Sequence, residues 1–133
     1  SMIMYPIKVS LTSDRYRQNI TINNKFQLAA DEPLDLGGND AGATPVELVL
    51  AGLGSCKAIT LKMYAERKDW ELESVDVDIT HQKVNQQYQI SVRLHLTGNL
   101  TDEQKQRLLK IADKCPVHKL LESSAQIETV LAE

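Results

Sequence analysis

The segment from Thr44 to Lys68 constrains the fold more than any other part of this chain. Its start carries three helix signals: Thr44 suits the N-cap, Pro45 suits the first helical position, and Glu47 completes a capping box with Thr44. Residues 46–55 are apolar or small nearly all round, which is typical of a buried helix. The segment is therefore predicted to be a long helix whose first half lies in the core.

Two further features of this helix give expectations about its packing. Gly52 and Gly54 each cost helix stability on the order of 1 kcal/mol relative to alanine, so we expect another backbone packed close against them. The second half of the helix carries charged side chains and is expected to be more exposed: Lys57, Lys62, Glu66 and Arg67.

Strand patterns lie on both sides of this helix. Residues 7–31 are strand-like, with a turn at Asn23-Asn24, and a glycine-rich loop follows at residues 36–43. After the helix, residues 75–79 and 88–96 alternate apolar and polar side chains, which predicts an antiparallel hairpin with one wet face.

The C-terminal part is predicted to contain two helices and a strand. Thr101 and Gln104 form a second capping box before an amphipathic segment, and Cys115-Pro116 interrupts that segment before a short helix ending near Glu122. Residues 126–131 are predicted to form the last strand. The order of elements predicts a single α+β domain over residues 1–133.

Composition excludes several classes of function. A net charge of −3 and the absence of a Lys/Arg cluster argue against a nucleic-acid partner. We expect no membrane span and no export signal, because no apolar run is long enough. Two cysteines without such a signal favour a reducing, cytoplasmic setting, in which a disulfide would be transient. Three histidines at unsuitable spacing predict no metal site.

The two cysteines are the candidate reactive groups. Cys115 would be the N-cap of the short helix, where free amides and the helix dipole lower a thiol pKa, and His118 lies one turn on. It is equally well interpreted as a buried capping residue beside a solvated histidine. Cys56 lies about three turns into its helix, so local sequence favours an inert core residue.

Three further residues could assist a thiol. The capping box explains Glu47 fully, although a carboxylate there could also orient an arginine. The candidate arginines are Arg15 and Arg17, which local sequence favours as solvated strand residues.

Four segments together resemble the OsmC/Ohr family of osmotically inducible and organic hydroperoxide resistance proteins. They are Asp35–Gly38, Thr44–Cys56, Leu61–Lys68 and Ala112–His118, and they occur in the family's order over nearly the whole chain. Cys115-Pro-Val-His118 is more similar to the OsmC-like branch than to the hydroperoxide resistance enzymes. In the hydroperoxide resistance enzymes, the residue that carries the site's carboxylate directly follows the proline, where this chain has Val46. A pairing of Glu47 with an arginine is therefore in question.

The resemblance implies an OsmC-like fold, in which antiparallel sheets wrap long central helices in an intertwined homodimer. It also implies a thiol peroxidase for organic hydroperoxides, without metal or organic cofactor, that a dithiol or lipoyl-type reductant regenerates. Cys56 would attack the peroxide and Cys115 would resolve the sulfenic acid as a disulfide. Arg15, with Arg17 as the second choice, would activate Cys56, and Glu47 would orient the arginine.

Other functions remain open at this stage. The apolar residues near Cys56 are expected to line a cleft at the subunit interface that receives the substrate: Val49, Leu53 and Met63. The same cleft could hold a small apolar ligand in a non-enzymatic binding protein or a slow redox sensor. A purely structural dimer is the third alternative.

Overall fold

The structure is a computed structural model that describes residues 5–133. Its helices are α1 (Pro45–Lys68), α2 (Asp102–Ala112) and α3 (Pro116–Glu122), with a short 3-10 turn at Leu34–Leu36. Its strands are β1 (Ile7–Leu11), β2 (Gln18–Ile22), β3 (Phe26–Ala30), β4 (Glu71–Val84) and β5 (Gln87–Asn99). The predicted α+β class with antiparallel sheets is confirmed.

The chain forms two compact units, one ending at Val49 and the other running from Leu50 to Glu133. The single-domain organisation stays a prediction. No helix of the described residues is long and apolar enough to cross a membrane.

The first unit contains an antiparallel sheet in the order β1-β2-β3. The predicted turn at Asn23-Asn24 is confirmed: both residues have positive φ values, 56° and 54°. Asparagine tolerates this left-handed conformation better than most residues, which explains why the chain reverses here.

A loop after β3 is organised around the buried carboxylate of Asp31. Its oxygens accept hydrogen bonds from the backbone N–H groups of Glu32, Asn39 and Ala41. Burial alone would raise the pKa of Asp31, but these three hydrogen bonds and the positive charge of Arg17 outweigh it, so the pKa lies below its ordinary value.

Helix α1 begins as the sequence predicts. The Thr44 N–H donates to Glu47 Oε1 at 2.8 Å, and the Glu47 N–H donates to Thr44 Oγ1 at 3.2 Å. The expected burial of the first half is partly wrong, because Val46 and Val49 are roughly half exposed whereas Leu50 is buried.

The close packing expected at the two glycines of α1 occurs at one of them. A Cβ at Gly54 would lie 3.2 Å from Ile79 Cδ1, so a side chain of β4, rather than a backbone, lies against the helix there. A Cβ at Gly52 would meet no heavy atom of the described residues within 4 Å.

The second unit combines the β4–β5 hairpin with the helices. The predicted antiparallel pairing is confirmed, and the strands turn at Asn85 and Gln86, both with positive φ. The core lies among α1, β4 and α2 and consists of Leu61, Tyr64, Ala65, Leu72, Leu108, Ile111 and Ala112. The second capping box is also present at Thr101 and Gln104.

The predicted final strand is wrong. Residues 126–131 form no regular element, and Ile127, Val130 and Leu131 are largely exposed. Alternating apolar residues suit a strand, but a strand also needs a neighbour for its backbone hydrogen bonds, and sequence alternation does not supply one.

Candidate active site

Two free thiols meet in the second unit. Cys56 lies on α1 and is partly exposed, whereas Cys115 precedes α3 and is fully buried. The two side chains lie close enough for the Cys56 thiol to act on the pKa of Cys115. Residues that lie far apart in the sequence are thus neighbours, which local sequence could not establish.

Cys115 is the N-cap of α3, as predicted. Its Sγ accepts a hydrogen bond from the His118 N–H at 3.3 Å, and Pro116 holds the first helical position. Of the two interpretations left open for Cys115, the structure favours the buried capping residue over a thiol with a lowered pKa. Burial raises the pKa of Cys115, the Cys56 thiol raises it further, and the His118 N–H and the charge of Lys57 offset these effects only in part.

Lys57 is the residue that the sequence interpretation missed. The sequence predicts an exposed side chain at this position, but in the structure only 2% of it is exposed. Its Nζ lies 2.8 Å from the Ala112 carbonyl oxygen, 2.8 Å from His118 Nδ1 and 3.5 Å from Asp113 Oδ1. The available signal was the position of this lysine directly after Cys56, within a mostly apolar stretch of helix.

His118 links Lys57 to the end of α3. An ammonium group can only donate, so Nδ1 of His118 accepts from Lys57 and its ring proton lies on Nε2. Nε2 faces the carboxylate of Glu122, whose Oε1 lies 3.2 Å away. The predicted proximity of His118 to Cys115 is confirmed, through its backbone N–H.

An apolar cavity of about 380 Å³ opens beside the partly exposed thiol. It is lined by Gly52, Ser55, Cys56, Ile59, Thr60, Met63 and Pro116. Met63 therefore lines the cavity beside Cys56, and its contact with a substrate stays a prediction. Leu53 is buried and lines a different cavity, together with His118. Val49 belongs to the first unit, and its contact with a substrate stays a prediction.

A larger cavity, of about 620 Å³, shares no residue with the cluster of Cys56, Lys57, Cys115 and His118, here called the thiol cluster. Its lining includes Tyr64, Trp70, Lys68 and Arg107. Arg107 Nε donates to the Tyr64 hydroxyl at 3.0 Å, and this hydrogen bond, with nearby cations, lowers the pKa of Tyr64. Chemistry rather than size therefore identifies the thiol cluster as the candidate site.

The predicted activating residues Arg15, Arg17 and Glu47 belong to the first unit. Arg15 has a φ of 51°, and its guanidinium lies 5.5 Å from the centre of the Tyr16 ring. Arg17 forms an ion pair with Asp14 at 3.4 Å, and its Nε is buried without a hydrogen-bond partner among the described residues. The roles of all three at Cys56 stay predictions.

The described residues contain no group of three or more His, Cys, Asp or Glu side chains that could hold a metal ion. The chemistry that this cluster can support directly is that of two adjacent thiols with a buried ammonium close by.

Comparison with known proteins agrees with the predicted fold. The family described as OsmC-like protein matches residues 37–130, whereas no curated protein matches the chain. A solved structure of an OsmC like protein from Mycoplasma pneumoniae is 18% identical over 90% of this chain and 88% of its own, with a TM-score of 0.75.

Two similar structures carry names that refer to hydroperoxides. An organic hydroperoxide resistance protein from Elizabethkingia anophelis is 23% identical over 92% of this chain and 91% of its own, with a TM-score of 0.65. One from Legionella pneumophila is 19% identical over 91% of this chain and 92% of its own, also with a TM-score of 0.65. At this identity the likeness shows the fold, while the family match spans more than half of the sequence. The chain belongs to the OsmC-like protein family.

Proposed function

We propose that this protein is a thiol-dependent peroxidase that reduces organic hydroperoxides, with Cys56 attacking and Cys115 resolving. The observation that carries the proposal is the contact between the two free thiols. The hydroperoxide resistance proteins among its structural relatives suggest the substrate class.

The difference in exposure between the thiols supports the division of roles. Cys56 is partly exposed and lines the apolar cavity, so a hydroperoxide with an alkyl group can approach it. Cys115 is fully buried and is accessible chiefly to its neighbour Cys56. A buried thiol that contacts the first sulfur suits a resolving cysteine.

The reaction would proceed in two oxidative steps. The Cys56 thiolate attacks the terminal oxygen of the hydroperoxide, the O–O bond breaks, and the alkoxide takes up a proton to leave as an alcohol. The sulfur of Cys115 then attacks the sulfenic sulfur of Cys56. The S–O bond breaks, and hydroxide combines with the Cys115 proton to leave as water.

Reduction of the disulfide would need a dithiol or lipoyl-type reductant, which supplies two electrons. The reducing, cytoplasmic setting that the cysteine content favours would keep the disulfide transient. We also propose the homodimer that the family resemblance implies, in which Arg15 or Arg17 activates Cys56, Glu47 orients the arginine, and Val49 contributes to the substrate cleft.

Single-cysteine variants test this function. Cys56→Ser should abolish consumption of an alkyl hydroperoxide in the presence of a dithiol. Cys115→Ser should instead leave a sulfenic acid on Cys56 that a dimedone-type reagent traps. Wild-type protein given one equivalent of hydroperoxide should lose the mass of two hydrogen atoms. Full turnover by the Cys56→Ser protein would contradict the assignment.

The same experiment separates an enzyme from a ligand-binding protein. A peroxidase should consume its thiols far faster than free cysteine does under the same conditions, as stopped-flow mixing would measure. A protein that only binds apolar ligands would react no faster than free cysteine and would keep its mass.

A further inference from the structure

A buried lysine needs a physical reason, because removing an ammonium group from water is costly unless other groups compensate for it. Lys57 receives partial compensation. It donates to the carbonyl of Ala112 at the end of α2 and to the neutral ring of His118. Its carboxylate contact among the described residues, Asp113, is 3.5 Å away and 71% exposed. A buried positive charge whose carboxylate partner is mostly exposed therefore lies inside the second unit.

This charge acts on the sulfur of Cys115. The groups that influence this sulfur are the Cys56 thiol on α1, the His118 N–H on α3 and the Lys57 ammonium. The more distant charged groups are Asp113, beside Lys57, and Glu122, beside the His118 ring. Lys57 is thus the cation of this cluster whose charge stabilises a thiolate at Cys115.

We propose that Lys57 is a positioning residue that stabilises the Cys115 thiolate whenever the Cys56–Cys115 disulfide forms or is reduced. His118 holds the Lys57 ammonium in place through Nδ1, and Glu122 holds the His118 ring through Nε2. This inference rests on the proposed function, because it concerns the second thiol of the same cycle.

Both halves of that cycle pass through a Cys115 thiolate. In disulfide formation, Cys115 loses its proton and its sulfur displaces hydroxide from Cys56. In reduction, one sulfur of a dithiol attacks the accessible Cys56 sulfur, the S–S bond breaks, and the electron pair leaves on Cys115. The second sulfur of the dithiol then releases Cys56 and closes a cyclic disulfide, and Cys115 takes up a proton from water.

Exposure gives the direction of attack, since Cys56 is the partly exposed sulfur and Cys115 is buried. The leaving-group rule for thiol–disulfide exchange gives the effect of Lys57. A sulfur leaves faster when its thiolate is more stable, so the Lys57 charge, which offsets part of the effect of burial on Cys115, speeds the departure of that sulfur.

A thiolate titration tests the proposal without any peroxide. In the Cys56→Ser protein, Cys115 is the remaining thiol. The ultraviolet absorbance of this protein against pH, minus that of the Cys56→Ser/Cys115→Ser protein with the same four tyrosines, therefore follows the ionisation of Cys115. Lys57→Gln, which keeps a hydrogen-bond donor but removes the charge, should raise the midpoint by about one pH unit. Lys57→Arg should keep the midpoint near that of the parent protein. Asp113→Asn, which removes the opposing carboxylate, should lower it.

The kinetic consequence is measured with both cysteines present. In Lys57→Gln, a midpoint about one pH unit higher leaves about tenfold less Cys115 thiolate at a given pH. A more basic sulfur is also a better nucleophile, which offsets part of this loss. Conversion of the Cys56 sulfenic acid to the disulfide should therefore slow about threefold. Lys57→Arg should restore this rate.

The alternative is that Lys57 only caps the C-terminus of α2. A folded Lys57→Gln protein with an unchanged Cys115 midpoint would establish this and overturn the proposal. If Lys57→Gln does not fold, Lys57→Met decides, because its unbranched apolar side chain suits this buried position and carries no charge: an unshifted midpoint would equally overturn the proposal. The titration needs no hydroperoxide, so its failure is distinguishable from failure of the proposed peroxidase activity.

Discussion

Opposing effects act on the Cys115 sulfur. The start of α3 provides the His118 N–H, which favours the thiolate, while burial of the side chain favours the thiol. Burial is the larger effect and raises the pKa of Cys115. Because alkylating reagents react with thiolates, a buried sulfur with a raised pKa should be the slower of the two to react.

Selective alkylation follows from this difference. Brief treatment of the reduced protein with iodoacetamide at mildly alkaline pH should label Cys56 at least about tenfold more than Cys115, because Cys115 is fully buried and burial raises its pKa. Peptide mass mapping measures the ratio. In urea, where burial is lost, the two residues should label about equally. Equal labelling of the folded protein would contradict the exposure that the proposed roles require.

At the scale of elements, Asp31 fixes the loop between β3 and α1. Three backbone N–H groups point at its carboxylate, and the last of them, that of Ala41, lies ten residues along the chain. In the folded protein, the pKa of this carboxyl group therefore lies below its ordinary value. Such a group contributes stability when ionised and loses that contribution as pH falls through the folded-state pKa.

The loop should consequently be sensitive to acid through Asp31. Asp31→Asn should lower the Tm at neutral pH by several degrees, because an amide NH2 cannot accept the hydrogen bonds of Asn39 and Ala41. The difference in Tm between wild type and variant should shrink as pH falls below about 4. Asp35→Asn, an exposed position in the same loop, is the control and should change little. Calorimetry would contradict this reasoning if both variants melted alike at neutral pH.

At the scale of the whole molecule, local signals in the sequence predict the elements but not their packing. The capping boxes at Thr44 and Thr101 and the turn at Asn23 give correct boundaries, because each depends on neighbours within a few residues. The burial of Lys57 and the contact of Cys56 with Cys115 depend on how α1 packs beside α2 and α3. Such packing leaves no periodic trace in the sequence, and only the family resemblance paired the cysteines.

In the segment after α3, by contrast, the sequence predicts an element that the structure lacks: residues 126–131 are strand-like in sequence but irregular in structure. Its exposed apolar residues Ile127, Val130 and Leu131 would be costly to leave in water. A second copy of the chain, as in the proposed homodimer, would give this segment both apolar cover and a strand to pair with.

Oligomeric state provides the test. Light scattering after size exclusion should give the wild-type protein twice the 14.9 kDa of one chain. The double variant Ile127→Glu/Leu131→Glu should shift the mass toward one chain, because charged side chains would be desolvated on pairing. Gln126→Glu, which adds a charge at a polar, exposed position on the opposite face of such a strand, is the matched control and should stay dimeric. A wild-type protein with the mass of one chain would contradict the homodimer. A dimeric double variant would instead show that the C-terminal segment contributes little to it.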